Sequence, residues 1–220
     1  MSVDDVMVRL ESLGDEKTRK FYKENAVGEN QFGVNVGQIW ALAKEIGQDP
    51  ELAEALWATG NFDAMLLSTL LMRPEQLSIE EVAGKFRSAE LPFLCGWFLS
   101  NVVKKHPEKE ALRQQWMEST DPILARGGWI LTSDRVFVDR NGLDLFGLLD
   151  RIEAEMAGAP QVVQSHMNQC LITIGIHYPE HRERAIAIGE ALGVFRDDPV
   201  PKGYSSSFAP SVIAFVVGPR

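Results

Sequence analysis

Spacing decides which of the reactive side chains in this sequence could act together. His177 and His181 stand four residues apart, the interval that can put two imidazoles on one helix face and seat a metal ion. Tyr178-Pro179 falls between them and breaks that face, and His106 and His166 supply no further ligand set, so no metal site is expected. Cys95 and Cys170 are the only cysteines; far apart and inside apolar runs, they fit reduced core thiols better than a disulfide or a zinc site. The cations are more informative. Lys104-Lys105-His106 closes one apolar run, while Arg126 and Arg135 lie on a later one, and both groups could contact phosphate. Lys104 and Lys105 are equally well explained as cations meeting the dipole at a helix C-terminus; Arg126, in a first turn, has no such role. Asn168 and Gln169 interrupt an apolar helix and could line a binding surface or simply face solvent. The sequence has no Gly-rich phosphate loop after a strand, no nucleophile elbow and no Cys-Cys-His set, so nucleotide hydrolysis and acyl transfer are unsupported and no cofactor is expected.

The elements that would position these groups read as helices. Apolar residues recur at helical spacing, with breaks at Gly, Pro or a capping residue, over 17–25, 36–47, 50–58, 62–72, 79–88, 92–105, 108–119, 122–136, 143–156, 161–177 and 179–192. Ser78 followed by Glu81 forms a capping-box pattern, and Asp49-Pro50, Asp121-Pro122 and Tyr178-Pro179 place proline in a first helical turn. Strand alternation with hairpin turns is missing, so the class is all-α. Taken in pairs, the helices give units of roughly 30 to 40 residues, the period of HEAT and armadillo arrays. Periodicity alone also fits a helix bundle without repeats. Trp40, Trp57, Trp116 and Trp129 fall on apolar faces and read as core. From Phe195 the chain changes character, with Pro199, Pro201, Gly203, serines 205–207 and Pro210 ahead of the apolar run 212–217. We read 1–194 as one helical repeat domain and 195–220 as an extended tail that packs back on it.

Composition sets the outer limits. The chain has 220 residues, 45% hydrophobic and 24% charged, enough for one core or one short repeat array. A formal charge of -9 argues against a generic nucleic-acid binder unless the 22 basic side chains are gathered on one surface. Charges interrupt every apolar stretch, so no membrane span is expected; Met1–Asp15 lacks the pattern of a secretory signal, and a cytoplasmic location is the default expectation.

Several segments resemble one family. Phe32-Gly33-Val34-Asn35-Val36, followed by Ile39, Leu42, Ala43 and Lys44, resembles the entry to the first repeats of the DNA alkylation repair (AlkD-like) family of HEAT-like proteins. Leu56-Trp57-Ala58-Thr59-Gly60-Asn61-Phe62-Asp63-Ala64-Met65 looks like its Leu-Trp, Ser-Gly, Glu-Ala-Arg run, with Asp63 in the Glu place and Met65 in the Arg place. Phe93–Gly96 through Asn101–Val103, Arg126-Gly127-Gly128-Trp129, Met167–Gly175, Gly193–Asp197, Pro199–Gly203 and Phe208-Ala209-Pro210 extend the likeness over nearly the whole chain.

That resemblance implies a right-handed superhelix, or solenoid, of HEAT/armadillo-like antiparallel helix pairs. It implies binding of duplex DNA along a concave face, with Arg126 on phosphate and Lys104, Lys105, Arg135, Asn168 and Gln169 as further DNA contacts. Active relatives are glycosylases that release alkylated purines using a carboxylate flanked by two tryptophans. Here the matching positions hold Gly96 for the Asp, and Pro92 and Gln169 for the tryptophans. The expectation is a DNA-binding repeat protein whose glycosylase chemistry is absent or altered. A protein-interaction scaffold and a glycosylase that recruits another carboxylate, Asp134 or Asp139, stand as alternatives.

Overall fold

Helices begin where the sequence supplies caps for their orphan N–H groups. At Ser78 the hydroxyl accepts from the Glu81 N–H at 3.2 Å while the Glu81 carboxylate accepts from the Ser78 N–H at 2.7 Å, the reciprocal pair expected of a capping box. Asp49 and Asp121 cap the helices that begin with Pro50 and Pro122. In the computed structural model, which describes residues 1–200, 203 and 206–218, every regular element is helical. The family-like Pro201-Lys202, and Ser205, lie outside the described residues.

The chain divides into two compact units, Met1–Lys109 and Glu110–Arg220. The first holds α1 (Val3–Leu13), α2 (Glu16–Glu24), α3 (Val36–Ile46), α4 (Pro50–Ala58), α5 (Phe62–Leu71), α6 (Ile79–Ser88) and α7 (Pro92–Asn101). Helix α5 is buried nearly all round and packs against α3, α4 and α7, with Leu66, Leu67 and Leu71 inaccessible to solvent. It also carries Asp63, whose buried carboxylate accepts the backbone N–H groups of Phe32, Gly33 and Val34 at 2.5, 3.2 and 2.9 Å. Burial raises the pKa of this carboxyl against the opposing pull of those three donors. The clamp fixes the loop that delivers the chain into α3. Gly33 in that loop has φ +77°, and a Cβ there would lie 2.6 Å from the Arg19 nitrogen, so the tight approach to α2 requires glycine.

The second unit holds α8 (Lys109–Met117), which starts at the boundary, then α9 (Pro122–Val138), α10 (Leu145–Glu155), α11 (Gln161–His177), α12 (Pro179–Leu192) and α13 (Ala209–Val217). Its centre is the long pair α9 and α11, around a core of Trp129, Leu149, Ile152, Met167, Cys170, Leu171 and Ile174. Gly128 lets α9 approach the end of α8, since a Cβ would fall 2.6 Å from the Met117 nitrogen. Cys95 and Cys170 are buried and not joined in a disulfide, and burial pushes the Cys170 thiol up to about 12.

Three expectations need correction. Residues 209–217, read as extended, are helical: Pro210 and Ile213 seat against Gly189 and Gly175 of α12 and α11, and that docking overrides the strand preference of the Val and Ile run. The helix expected over 92–105 stops at Asn101, where Val102 departs to φ -117° and ψ -64°, and Val103–Lys105 form a 3-10 turn. Residues 3–13, not assigned as a helix above, form α1, started by a second capping box between Ser2 and Asp5.

Candidate nucleic-acid interface

In the first unit, α7 presents Phe93, Gly96 and Trp97 on its outer side. Phe93 and Trp97 stand one helical turn apart with ring centroids 6.0 Å apart and planes only 17° from parallel. Trp40 of α3 meets Trp97 at 5.7 Å, and beneath Phe93 lie Phe62 at 5.9 Å and Tyr22 at 6.3 Å. Two backbone hydrogen bonds hold the group: Trp97 Nε1 donates to the Leu66 carbonyl at 3.1 Å and the Tyr22 hydroxyl to the Val34 carbonyl at 2.8 Å. Trp40 is 48% exposed and Phe93 41% exposed, so this is surface, and the reading of Trp40 as core is corrected. Trp57, Trp116 and Trp129 are buried.

Gly96 lies exposed within this aromatic surface, and a Cβ built on it meets nothing within 4 Å. Pro92, also exposed, opens the helix. Both positions therefore face solvent with neither a charge nor an aromatic ring. Phe93 also walls an open cleft of about 450 Å³ lined by Asp15, Lys17, Thr18, Phe21, Tyr22, Asn35 and Val36. Lys104 is partly buried and Lys105 exposed on the 3-10 turn; the Lys105 ammonium donates to Asn101 Oδ1 at 3.3 Å. His106 next to them is structural, its Nδ1 accepting from the Glu108 N–H and its Nε2 lying 2.9 Å from the Leu77 carbonyl.

In the second unit the cations are engaged by protein groups. Arg126 is only 7% exposed on α9. Its positive charge, after burial itself, pushes nearby His166 of α11 down to about 4. Arg135 pairs with Glu110 and donates to the Asn141 carbonyl at 2.7 Å. Arg113 forks onto the same Glu110 at 2.6 and 2.9 Å, and these guanidinium groups hold that carboxyl at about 2. Asn168 is buried and donates to the Ser207 carbonyl at 2.8 Å, tying α11 to the segment before α13, whereas Gln169 beside it is exposed. Asp139 lies at the end of α9, exposed and accepting from the Asn141 N–H at 3.0 Å; Asp134 is partly buried on the same helix. His177 packs edge-on to Phe137 and His181 edge-on to Phe146, on successive helices. Among the described residues no group of three His, Cys, Asp or Glu side chains could hold a metal ion, and no helix is long and apolar enough to cross a membrane.

Sequence reasoning missed the surface pairing of Phe93, Trp97 and Trp40. The signal was present, because Phe93 and Trp97 are four apart around an exposed glycine, and Trp40 follows Ile39 about 100° round from the buried face.

Packed helices throughout the described residues, with an exposed aromatic cluster on α3 and α7, define an all-α protein of the HEAT-like repeat class. The chain belongs to the DNA alkylation repair enzyme family, whose model matches residues 6–192. It is similar over 98% of its length to a solved structure described as "a new family of proteins related to the HEAT-like repeat DNA glycosylases with affinity for branched DNA structures", with 27% identity, a TM-score of 0.79 and 93% of that chain covered. It is also similar to the uncharacterized protein Lin0241 of Listeria innocua serovar 6a, 22% identical over 98% of this chain and 96% of the other.

Proposed function

We propose that this protein binds DNA, with preference for branched structures, and does not cleave glycosidic bonds. Two observations support the reading: the family match over residues 6–192, and the exposed Gly96 on α7, which the resemblance aligns with the family's carboxylate. Releasing an alkylated purine requires stabilisation of positive charge developing on the sugar, and a glycine supplies none. Affinity for branched DNA, named for the similar solved protein, supports the choice of DNA partner. Phosphates of such a branch would be met by Lys104 and Lys105 in the first unit and, separately, by arginines of the second. Arg126 and Asn168 are too enclosed to lead that contact, while Arg135 would have to exchange Glu110 for a phosphate oxygen.

Anisotropy titrations with a labelled four-way junction and a duplex of equal length, at two salt concentrations, test this. The expected result is tighter binding to the junction, weakening steeply with salt, and no purine released from alkylated DNA. Failure to bind either DNA at low salt would favour the protein-interaction alternative, and release of alkylated purines would restore the enzyme.

A further inference from the structure

We infer that the surface formed by Trp40, Phe93 and Trp97 is a stacking site for an unpaired nucleobase. The inference deepens the DNA-binding proposal and rests on it, because a branch point is where duplex DNA exposes bases that lack a neighbour on one face.

The rings that cluster here are at the surface, although large aromatics are normally drawn into the core. Trp40 and Phe93 each leave more than two-fifths of their area open. Their arrangement is fixed before any ligand arrives. Phe93 and Trp97 are near-parallel, Trp97 is anchored to the Leu66 carbonyl, and Phe62 and Tyr22 support Phe93 from below. A pre-positioned ring loses little conformational freedom when a flat partner stacks on it. The absence of a side chain at Gly96 leaves room beside both α7 rings, and a Cβ there would meet nothing within 4 Å.

Charge selects the occupant. Lys44 lies one turn after Trp40 on α3, exposed, and Lys17 lines the cleft walled by Phe93. An ammonium beside an open ring face matches a nucleotide, which offers a π-face and a phosphate together. Asp15 in the same cleft is occupied in capping α2, where it accepts the N–H and hydroxyl of Thr18 at 2.9 and 2.7 Å. Base–aromatic stacking tolerates any sequence, as recognition of branch geometry requires.

The test uses the full chain and two labelled junctions, one fully paired and one with two unpaired nucleotides at the branch, including 2-aminopurine. The wild type is expected to bind the second more tightly and to quench the 2-aminopurine. Trp40→Ala combined with Phe93→Ala should weaken binding to the unpaired junction on the order of 10-fold more than to the paired one and abolish the quench. Trp40→Phe should restore part of both, and a circular dichroism melt confirms that the variants fold. Equal losses on the two junctions, or an unchanged quench, would overturn the inference while leaving the DNA-binding proposal standing. If the wild type bound neither junction yet quenched 2-aminopurine in a single-stranded oligonucleotide through Trp40, the stacking site would survive and the branched-DNA reading would fall. Binding to neither junction with no quench on the single strand would sink both.

Discussion

The two units use one construction, packed helices, but differ in how they cover their aromatic side chains: the first sets Trp57 beneath the Lys85 ammonium and leaves a cluster of other rings open. In Glu110–Arg220 the guanidinium groups cover aromatic faces and hold carboxylates: Arg140 lies over Tyr178, Arg151 over Trp129, Arg184 over Phe146 and Arg196 over Phe208, at 4.7 to 5.8 Å from the ring centroids. Arg113, Arg135, Arg140, Arg151, Arg184 and Arg196 each also pair with an acid. In Met1–Lys109 the rings of Trp40, Phe93 and Trp97 pack on one another and remain accessible. On the DNA-binding proposal, a chain of net charge -9 would meet a polyanion in two ways: through uncharged stacking surface in one unit and, in the other, through arginines that exchange a carboxylate for a phosphate. The acid partners of these pairs are solvent-exposed, so a phosphate could reach the arginines from the same side.

The sharpest break between the regions concerns their glycines. Gly128→Ala should destabilise the second unit by about 3 kcal/mol, because its Cβ would press on the backbone of Trp116 and Met117, which cannot move aside as a side chain would. Gly96→Ala, in an open helical position of the first unit, should stabilise by roughly 0.5–1 kcal/mol. Urea unfolding of both variants checks the pair, and a neutral Gly128→Ala would contradict the packing described for α8 and α9.

Acid should distinguish the units next. His166 is held at about 4 against an ordinary value of 6.5, so as pH falls through that window the unfolded chain takes up a proton that the folded chain refuses. Stability from this group is therefore intact above pH 6.5, is lost progressively towards pH 4 and changes no further below it; partial exposure limits the loss to about 2 kcal/mol. His166→Gln should flatten the pH dependence of unfolding over that range, and an unaltered profile would count against its part-buried setting near the Arg126 charge. The smallest effect is expected from Glu110→Gln, which relieves Arg113 and Arg135 of their shared carboxylate. It should raise junction affinity about twofold to threefold and steepen the salt dependence. A variant that binds no better would remove Arg135 from the DNA contact.

Much of this was legible in the residues. Caps at Asp49, Ser78 and Asp121 marked helix starts because a cap acts within its own turn. What escaped depends on distant partners. The tail helix is decided by the hollows over Gly175 and Gly189, and Asn168 acquires its role from Ser207, 39 residues on. Trp40 was misassigned because an apolar residue on an amphipathic helix reads as core unless its angular position is checked against Ile39, Leu42 and Ala43, which are the buried ones.

The Asp63 clamp carries a consequence for assembly. Residues 32–34 cannot satisfy their amides locally; their acceptor arrives from a helix some 30 positions later in the chain. The lead-in to α3, and with it the footing of Trp40, is therefore complete only in a chain long enough to include α5. A fragment ending before residue 63 would contain Trp40 but not the support that aims it.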